Sequence, residues 1–340
     1  MLFSAFKLSR HQFLLFIVLG AISGGCGDDD GKKVNPPSDA GVVRPDSSTD
    51  GSVGQARTWY LQQRLISEDG TKFWARDCEL DPNSGLPKST PACLFGGAQS
   101  WNSASFATGQ APSPLAIGAG AGYTWSAAGG VQHLQQRLVA MDGSVFWSRD
   151  CELSEDTGLP TAGCLLTKND WNASAFQAGD APNPLRFRSV WFYTWTTPTG
   201  QKRLQQRLIS EDGAKFWARD CELDSGDGLP KTNPPCLFGT GQAWNADVFR
   251  AGDAPSPLAI GSASGYTWVA PDGKQHLQQR LVAMDGSVFW SRDCELDAND
   301  GLPVSGCVFN KNSWNDDAFP AGQAPSPLRF RDVWFYTWSK

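Results

Sequence analysis

The pentapeptide Leu-Gln-Gln-Arg-Leu begins at Leu61, Leu134, Leu204 and Leu277, and each copy leads a block of about seventy residues that repeats almost throughout. Successive copies lie 73, 70 and 73 residues apart. His133 to Leu153 and His276 to Leu296 are identical, whereas the first and third blocks carry Phe-Trp-Ala-Arg-Asp-Cys in place of Phe-Trp-Ser-Arg-Asp-Cys. The order is therefore A-B-A-B with a long period of 143 residues. A fixed period constrains architecture before any single residue does, because each copy must bury its apolar face against a neighbour.

Within a block, Leu61, Gln63 and Leu65 alternate with Gln62, Arg64 and Ile66, the period of a strand with one apolar face. Asp69-Gly70 then supplies a tight turn, since both residues tolerate positive φ, and Phe73 to Leu80 alternates in return. Asp142-Gly143, Asp212-Gly213 and Asp285-Gly286 repeat this hairpin signal. Trp101-Asn102, Trp171-Asn172, Trp244-Asn245 and Trp314-Asn315 precede short helix-tolerant stretches, with Asn as N-cap and Gly as stop, so one helical turn is expected there. Each block closes with a strand ending Tyr-Thr-Trp.

These signals predict an all-β chain of four tandem β-meander repeats of ~71 residues, at 58–125, 126–195, 196–268 and 269–340. The repeats start just before a first strand and stop just after a last one, which suits closure into a four-bladed, propeller-like ring without exposed sheet edges. Two A-B pair domains, or four separate beads, are the alternatives.

The N-terminal segment differs. Residues 1–25 run from Lys7, Arg10 and His11 through the apolar stretch Phe13 to Leu19 to small residues, the order of a secretory signal peptide. Ser23-Gly24-Gly25-Cys26 resembles the lipobox of bacterial lipoproteins, with Ser23 where a large aliphatic residue is usual. That resemblance implies lipidation of Cys26 and a membrane anchor in the cell envelope, with plain secretion as the alternative. Residues 26–57 are rich in Asp, Gly, Ser and Pro and read as a disordered tether.

The other eight cysteines fall two to a block: Cys78/Cys93, Cys151/Cys164, Cys221/Cys236 and Cys294/Cys307. An even set in an exported chain reads as disulfides, within each block or between neighbours, with closure within blocks the simpler. The net charge of −6 and pI near 5.1 argue against a nucleic-acid partner, which needs a concentrated basic face.

Trp74, Trp147, Trp217 and Trp290 lie in the apolar phase of their strands and are expected in the core. Arg76-Asp77 and its three copies read as ties between strands. The loops after Asp81, Asp224 and Asp297 are similar to calcium-binding loops, but no bidentate Glu follows and turn chemistry accounts for them; no cofactor is expected, Ca²⁺ being the one weak candidate. Before the last strand, the A blocks carry the small residues Ala116 to Gly120 and Ala259 to Ala263, and the B blocks carry Arg186 to Trp191 and Arg329 to Trp334. Small facing bulky is read as complementary packing, and the rival reading makes Arg188, Trp191, Arg331 and Trp334 a pair of ligand sites.

Candidate ligand-binding residues are therefore Trp101, Asn102, Trp171, Asn172, Trp244, Asn245, Trp314 and Asn315, with Arg188, Trp191, Arg331 and Trp334. Indole faces stack on the apolar side of sugar rings while amide and guanidinium groups take hydroxyls. Past the signal only His133 and His276 remain, and carboxylates such as Asp77 and Glu79 recur symmetrically where catalysis needs differently tuned groups, so no enzyme is expected. In general type the Trp-rich β repeats look like multivalent bacterial and fungal lectins. That resemblance implies a surface-tethered, non-catalytic protein binding glycan through repeated weak sites. The alternatives are a structural envelope or adhesion protein with a surface-protein partner and, less favoured, a glycoside-active enzyme.

Overall fold

The computed structural model describes residues 57–340; the signal peptide, Cys26 and all but the last residue of the tether lie outside the described residues. The chain is a four-bladed β-propeller of four antiparallel, four-stranded sheets. β1 (Trp59–Ser67), β2 (Lys72–Glu79) and β3 (Gln99–Ser100) form the outer part of the first blade. β4 (Ile117–Ser126) to β7 (Thr167–Asp170) form the second, with β5 (Gln132–Ala140) and β6 (Val145–Glu152) between them. The third runs β8 (Phe187–Thr196), β9 (Lys202–Ser210), β10 (Lys215–Glu222), β11 (Gln242–Ala243). The fourth runs β12 (Ile260–Val269), β13 (Gln275–Ala283), β14 (Val288–Glu295), β15 (Asn310–Ser313).

The innermost strand of the first blade is β16 (Phe330–Ser339), which pairs with β1 from Trp59↔Ser339 to Ser67↔Phe330. The last strand of the chain thus completes the blade begun by the first, and the ring closes without free inner edges. Blades are offset from sequence blocks by one strand: the Tyr-Thr-Trp strand that ends each block is the inner strand of the next blade.

The hairpins follow the Asp-Gly signal, with Gly70 at φ 70° between β1 and β2. Burial corrects one local reading. Gln62 and Gln63 are buried alongside Leu61, Leu65 and Ile66, so β1 is covered on both faces, because each blade packs between two others. One buried amide oxygen is paired inside: Gln63 Oε1 accepts from Arg76 Nε at 2.8 Å, and Arg76 Nη1 donates to the Cys93 carbonyl, while Gln63 Nε2 has no partner. Burial lowers the Arg76 pKa to about 10, and Arg149, Arg219 and Arg292 repeat the arrangement as strand ties.

The core consists of four clusters between blades, in which Trp74, Trp147, Trp217 and Trp290 are all buried. Disulfides close within blocks, Cys78–Cys93, Cys151–Cys164, Cys221–Cys236 and Cys294–Cys307. They fit an extracellular or envelope protein. Among the described residues no helix is long and apolar enough to cross a membrane.

Candidate functional site

The Trp-Asn loops form as expected, and their polar groups are used within the fold. Indole N–H groups of Trp101, Trp171, Trp244 and Trp314 donate to the hairpin carbonyls of Gly70, Gly143, Gly213 and Gly286 at 2.8–2.9 Å. Their rings pack on Phe73, Phe146, Phe216 and Phe289, with centroids 4.5–4.7 Å apart. Asn102, Asn172, Asn245 and Asn315 cap short 3₁₀ turns, each side-chain oxygen accepting from the N–H two residues on. These eight residues are spread over four separate loops, each set anchored to the hairpin of its own blade.

The Arg-Phe-Arg-x-Val-Trp reading requires correction as a pair of solvent-facing sites. Trp191 and Trp334 are 1% and 0% exposed, so neither presents a face to a ligand. A Cβ at Gly120 would stand 2.9 Å from the Trp334 ring, which is the small-against-bulky packing expected from the A/B alternation. Arg188 Nε and Nη2 donate to the carbonyls of Gly261 and Met284, and Arg331 likewise to Gly118 and Met141. Both guanidiniums tie an inner strand to the blade that follows it.

Tertiary structure builds a different site. The four Tyr-Thr-Trp ends converge at one mouth of the propeller axis around a funnel of about 750 Å³. Tyr123, Tyr193, Tyr266 and Tyr336 donate to the carbonyls of Gly228, Gly301, Gly85 and Gly158 in the next blade, all at 3.0 Å. Burial pushes the Tyr193 and Tyr336 hydroxyls up to about 12, so they stay protonated as donors.

Each terminal Trp is sandwiched. Trp338 stacks on Tyr60 at 4.6 Å and lies against Gly158, where a Cβ would stand 2.2 Å from the ring and φ is +61°. The same place against Trp125 is taken by His133 and Gly228, against Trp268 by His276 and Gly85, and against Trp195 by Arg203 and Gly301. Both faces are covered, and Trp125, Trp195 and Trp268 reach the funnel by what remains. Asp77 accepts the Trp338 indole N–H at 3.0 Å, and burial raises its pKa although that bond lowers it.

Between Tyr and Trp, Thr124, Thr194, Thr267 and Thr337 line the funnel. Thr124 Oγ1 donates to the Thr337 carbonyl and Thr267 Oγ1 to the Thr194 carbonyl, both at 2.8 Å. Two seams between blades are then bridged by amides. Gln132 pairs with both backbone groups of Ser339, and Gln275 with both of Thr196. At the other two seams the corresponding residues are Trp59 and Lys202, facing Val269 and Ser126, and all four are exposed.

Sequence reasoning missed the funnel. The available signal was variation inside a repeated frame: the position two residues before Leu-Gln-Gln-Arg-Leu is Trp59, Gln132, Lys202 and Gln275 in turn.

No family model and no curated protein matches the chain. Among solved structures, a fucose lectin from Kordia zhangzhouensis in complex with methyl-fucoside is 12% identical, with coverage of 57% of this chain and 99% of its own and a TM-score of 0.27. AofleA from Arthrobotrys oligospora is 9% identical over 74% of this chain and 71% of its own, at a TM-score of 0.28. A thermostable family-43 glycoside hydrolase is 12% identical over 74% of each chain, at 0.32. At such TM-scores the likeness carries no argument about function.

Proposed function

We propose that this protein is a non-catalytic, lectin-like carbohydrate-binding propeller whose ligand enters the axial funnel. The observation that supports the reading is the composition of that funnel: indole groups, threonine hydroxyls and glutamine amides converge in a concave space of about 750 Å³, large enough for one or a few sugar rings. Thr194 and Thr337 donate no side-chain hydrogen bond within the described residues, and each Gln amide keeps a second N–H and a second lone pair for a hydroxyl. Trp59, at 49% exposure, offers the open indole at the mouth.

The reading also makes the protein non-catalytic, because the funnel carboxylates are both engaged. Glu79 pairs with Lys88, and Asp81 accepts the backbone N–H groups of Asn83 and Ser84, which hold it below the ordinary carboxylate range. They are the two carboxylates among the described residues that line the funnel, and both come from the end of β2 in the first blade.

In this reading the Trp-Asn loops are scaffold, and each chain carries one site in place of four or two. Multivalency then arises from several chains on one surface, held through the lipid anchor at Cys26.

A glycan array with the purified protein, repeated with Trp59→Ala, tests this. Binding to a saccharide class that Trp59→Ala weakens supports it; an array blank at every saccharide overturns it.

A further inference from the structure

The near-twofold symmetry of the A-B-A-B chain breaks at the funnel mouth, and the break gives the mouth two unlike walls. Gln132 and Gln275 bridge two opposite seams in the same manner. At the remaining pair, one seam presents Trp59 and Val269, 49% and 61% exposed, and the other presents Lys202 beside Ser126. One open seam is apolar and the diametrically opposite one is cationic.

A second cation reinforces the charged side. Arg57 lines the funnel, and its Nη2 lies 3.8 Å from where a Cβ on Gly130 would stand, over the turn that joins β4 to β5. Ser126 ends β4 at that same turn, so Arg57 and Lys202 flank the turn of the second blade from its two sides.

Charge accounting makes the asymmetry effective. Five charged side chains line the funnel: Arg57, Glu79, Asp81, Lys88 and Lys202. Glu79 is neutralised by Lys88, and Asp81 is turned into its own loop. Among the described residues neither Arg57 nor Lys202 forms an ion pair. An entering ligand therefore meets unpaired Lys202 on the side opposite an open indole and unpaired Arg57 at the turn of the second blade, while Asp81, the one lining carboxylate without an ion pair, is held by its own loop.

We infer that the funnel selects acidic saccharides, with the apolar face of a sugar ring on Trp59 and a ring carboxylate on Lys202 and Arg57. The inference rests on the carbohydrate-binding reading and goes beyond it by naming the ligand class. A charge-assisted hydrogen bond from each cation distinguishes a uronic acid from the hexose that differs from it only at C6.

The test compares matched pairs, methyl hexosides and oligosaccharides against their C6-carboxylate counterparts, by calorimetry with the purified protein. The acidic member is expected to bind about ten-fold more tightly at low salt, with the difference shrinking as ionic strength rises. Lys202→Met should bring the two members of a pair within about two-fold of each other, and Lys202→Arg should retain the preference. An unchanged melting temperature shows that each variant folds. Equal binding of acidic and neutral members by the parent protein overturns the inference and leaves the carbohydrate reading standing. Absence of binding to either member of every pair overturns both, and a preference for sulfated over carboxylated rings overturns the assignment of the anion.

Discussion

Gln132 holds both backbone groups of Ser339: its Nε2 donates to the Ser339 carbonyl at 2.6 Å and its Oε1 accepts the Ser339 N–H at 2.9 Å. The two residues are 207 positions apart, on β5 and β16, so one side chain acts as a short strand across the seam between the second and first blades. Gln275 does the same for Thr196. Removing either amide strands a backbone donor and acceptor, so Gln132→Ala and Gln275→Ala should each cost about 1–3 kcal/mol, additively since the seams are far apart. Lys202→Ala, at the open seam, should stay within about 0.5 kcal/mol. Chemical denaturation checks all three, and equal losses at both kinds of seam would contradict the bridging role.

Trp334 occupies space that exists because Gly120 lacks a side chain. Gly120→Ala should overpack the site and cost about 1–3 kcal/mol, while Trp334→Ala should leave a cavity and cost about 3–5 kcal/mol. The pair Gly120→Ala with Trp334→Phe should cost less than the sum of its parts. A double-mutant cycle that is strictly additive would show that the two residues do not share one volume.

Asp332 stands where the other B copy has Ser189 and is fully buried, one oxygen accepting the Gly120 N–H at 2.8 Å and the other unpartnered. Burial pushes its carboxyl up to about 7 from an ordinary value of 3.8. Between those values the folded state binds more protons than the unfolded state, so this group's contribution to stability falls as pH rises from about 4 to 7 and stays low above it. Asp332→Asn, which keeps the acceptor and removes the charge, should raise the melting temperature at pH 8 and leave it nearly unchanged at pH 4, worth on the order of 1–4 kcal/mol. A gain of equal size at both pH values would rule out the titration.

Under the proposed carbohydrate-binding function, anchoring and binding fall to different tryptophans. Trp171→Ala and Trp314→Ala remove an indole N–H bond to Gly143 or Gly286 and a ring packed on two phenylalanines, and should cost about 3–5 kcal/mol while saccharide affinity of the folded protein is unchanged. Trp59→Ala should show the reverse, with lost affinity and little change in melting. Loss of binding in a folded Trp171→Ala protein would return the site to the loops.

Each disulfide closes a loop of 13 or 15 residues. Replacing Cys78 and Cys93 together by Ala should cost about 3 kcal/mol. Non-reducing peptide mapping should recover Cys78 with Cys93, and a Cys78–Cys151 peptide would refute the assignment.

The sequence by itself determined what neighbouring residues decide. Alternation and Asp-Gly set the hairpins, Asn102 and its copies set the capped turns, two cysteines per block made closure within blocks the simpler of two pairings, and small segments alternating with bulky ones pointed to complementary packing between blocks. Each depends on contacts within a few residues, or on a pattern written four times. Tertiary structure alone decided that blades are offset by one strand and that Trp191 and Trp334 vanish into the core. It also brought Thr124, Thr194, Thr267 and Thr337 around one axis. The funnel is assembled from strand ends about seventy residues apart in sequence, each held by the blade that follows it. Trp59 and Lys202 gain their significance only against Gln132 and Gln275 in the closed ring. No local period records that comparison, because the side chains that complete the mouth belong to different blades.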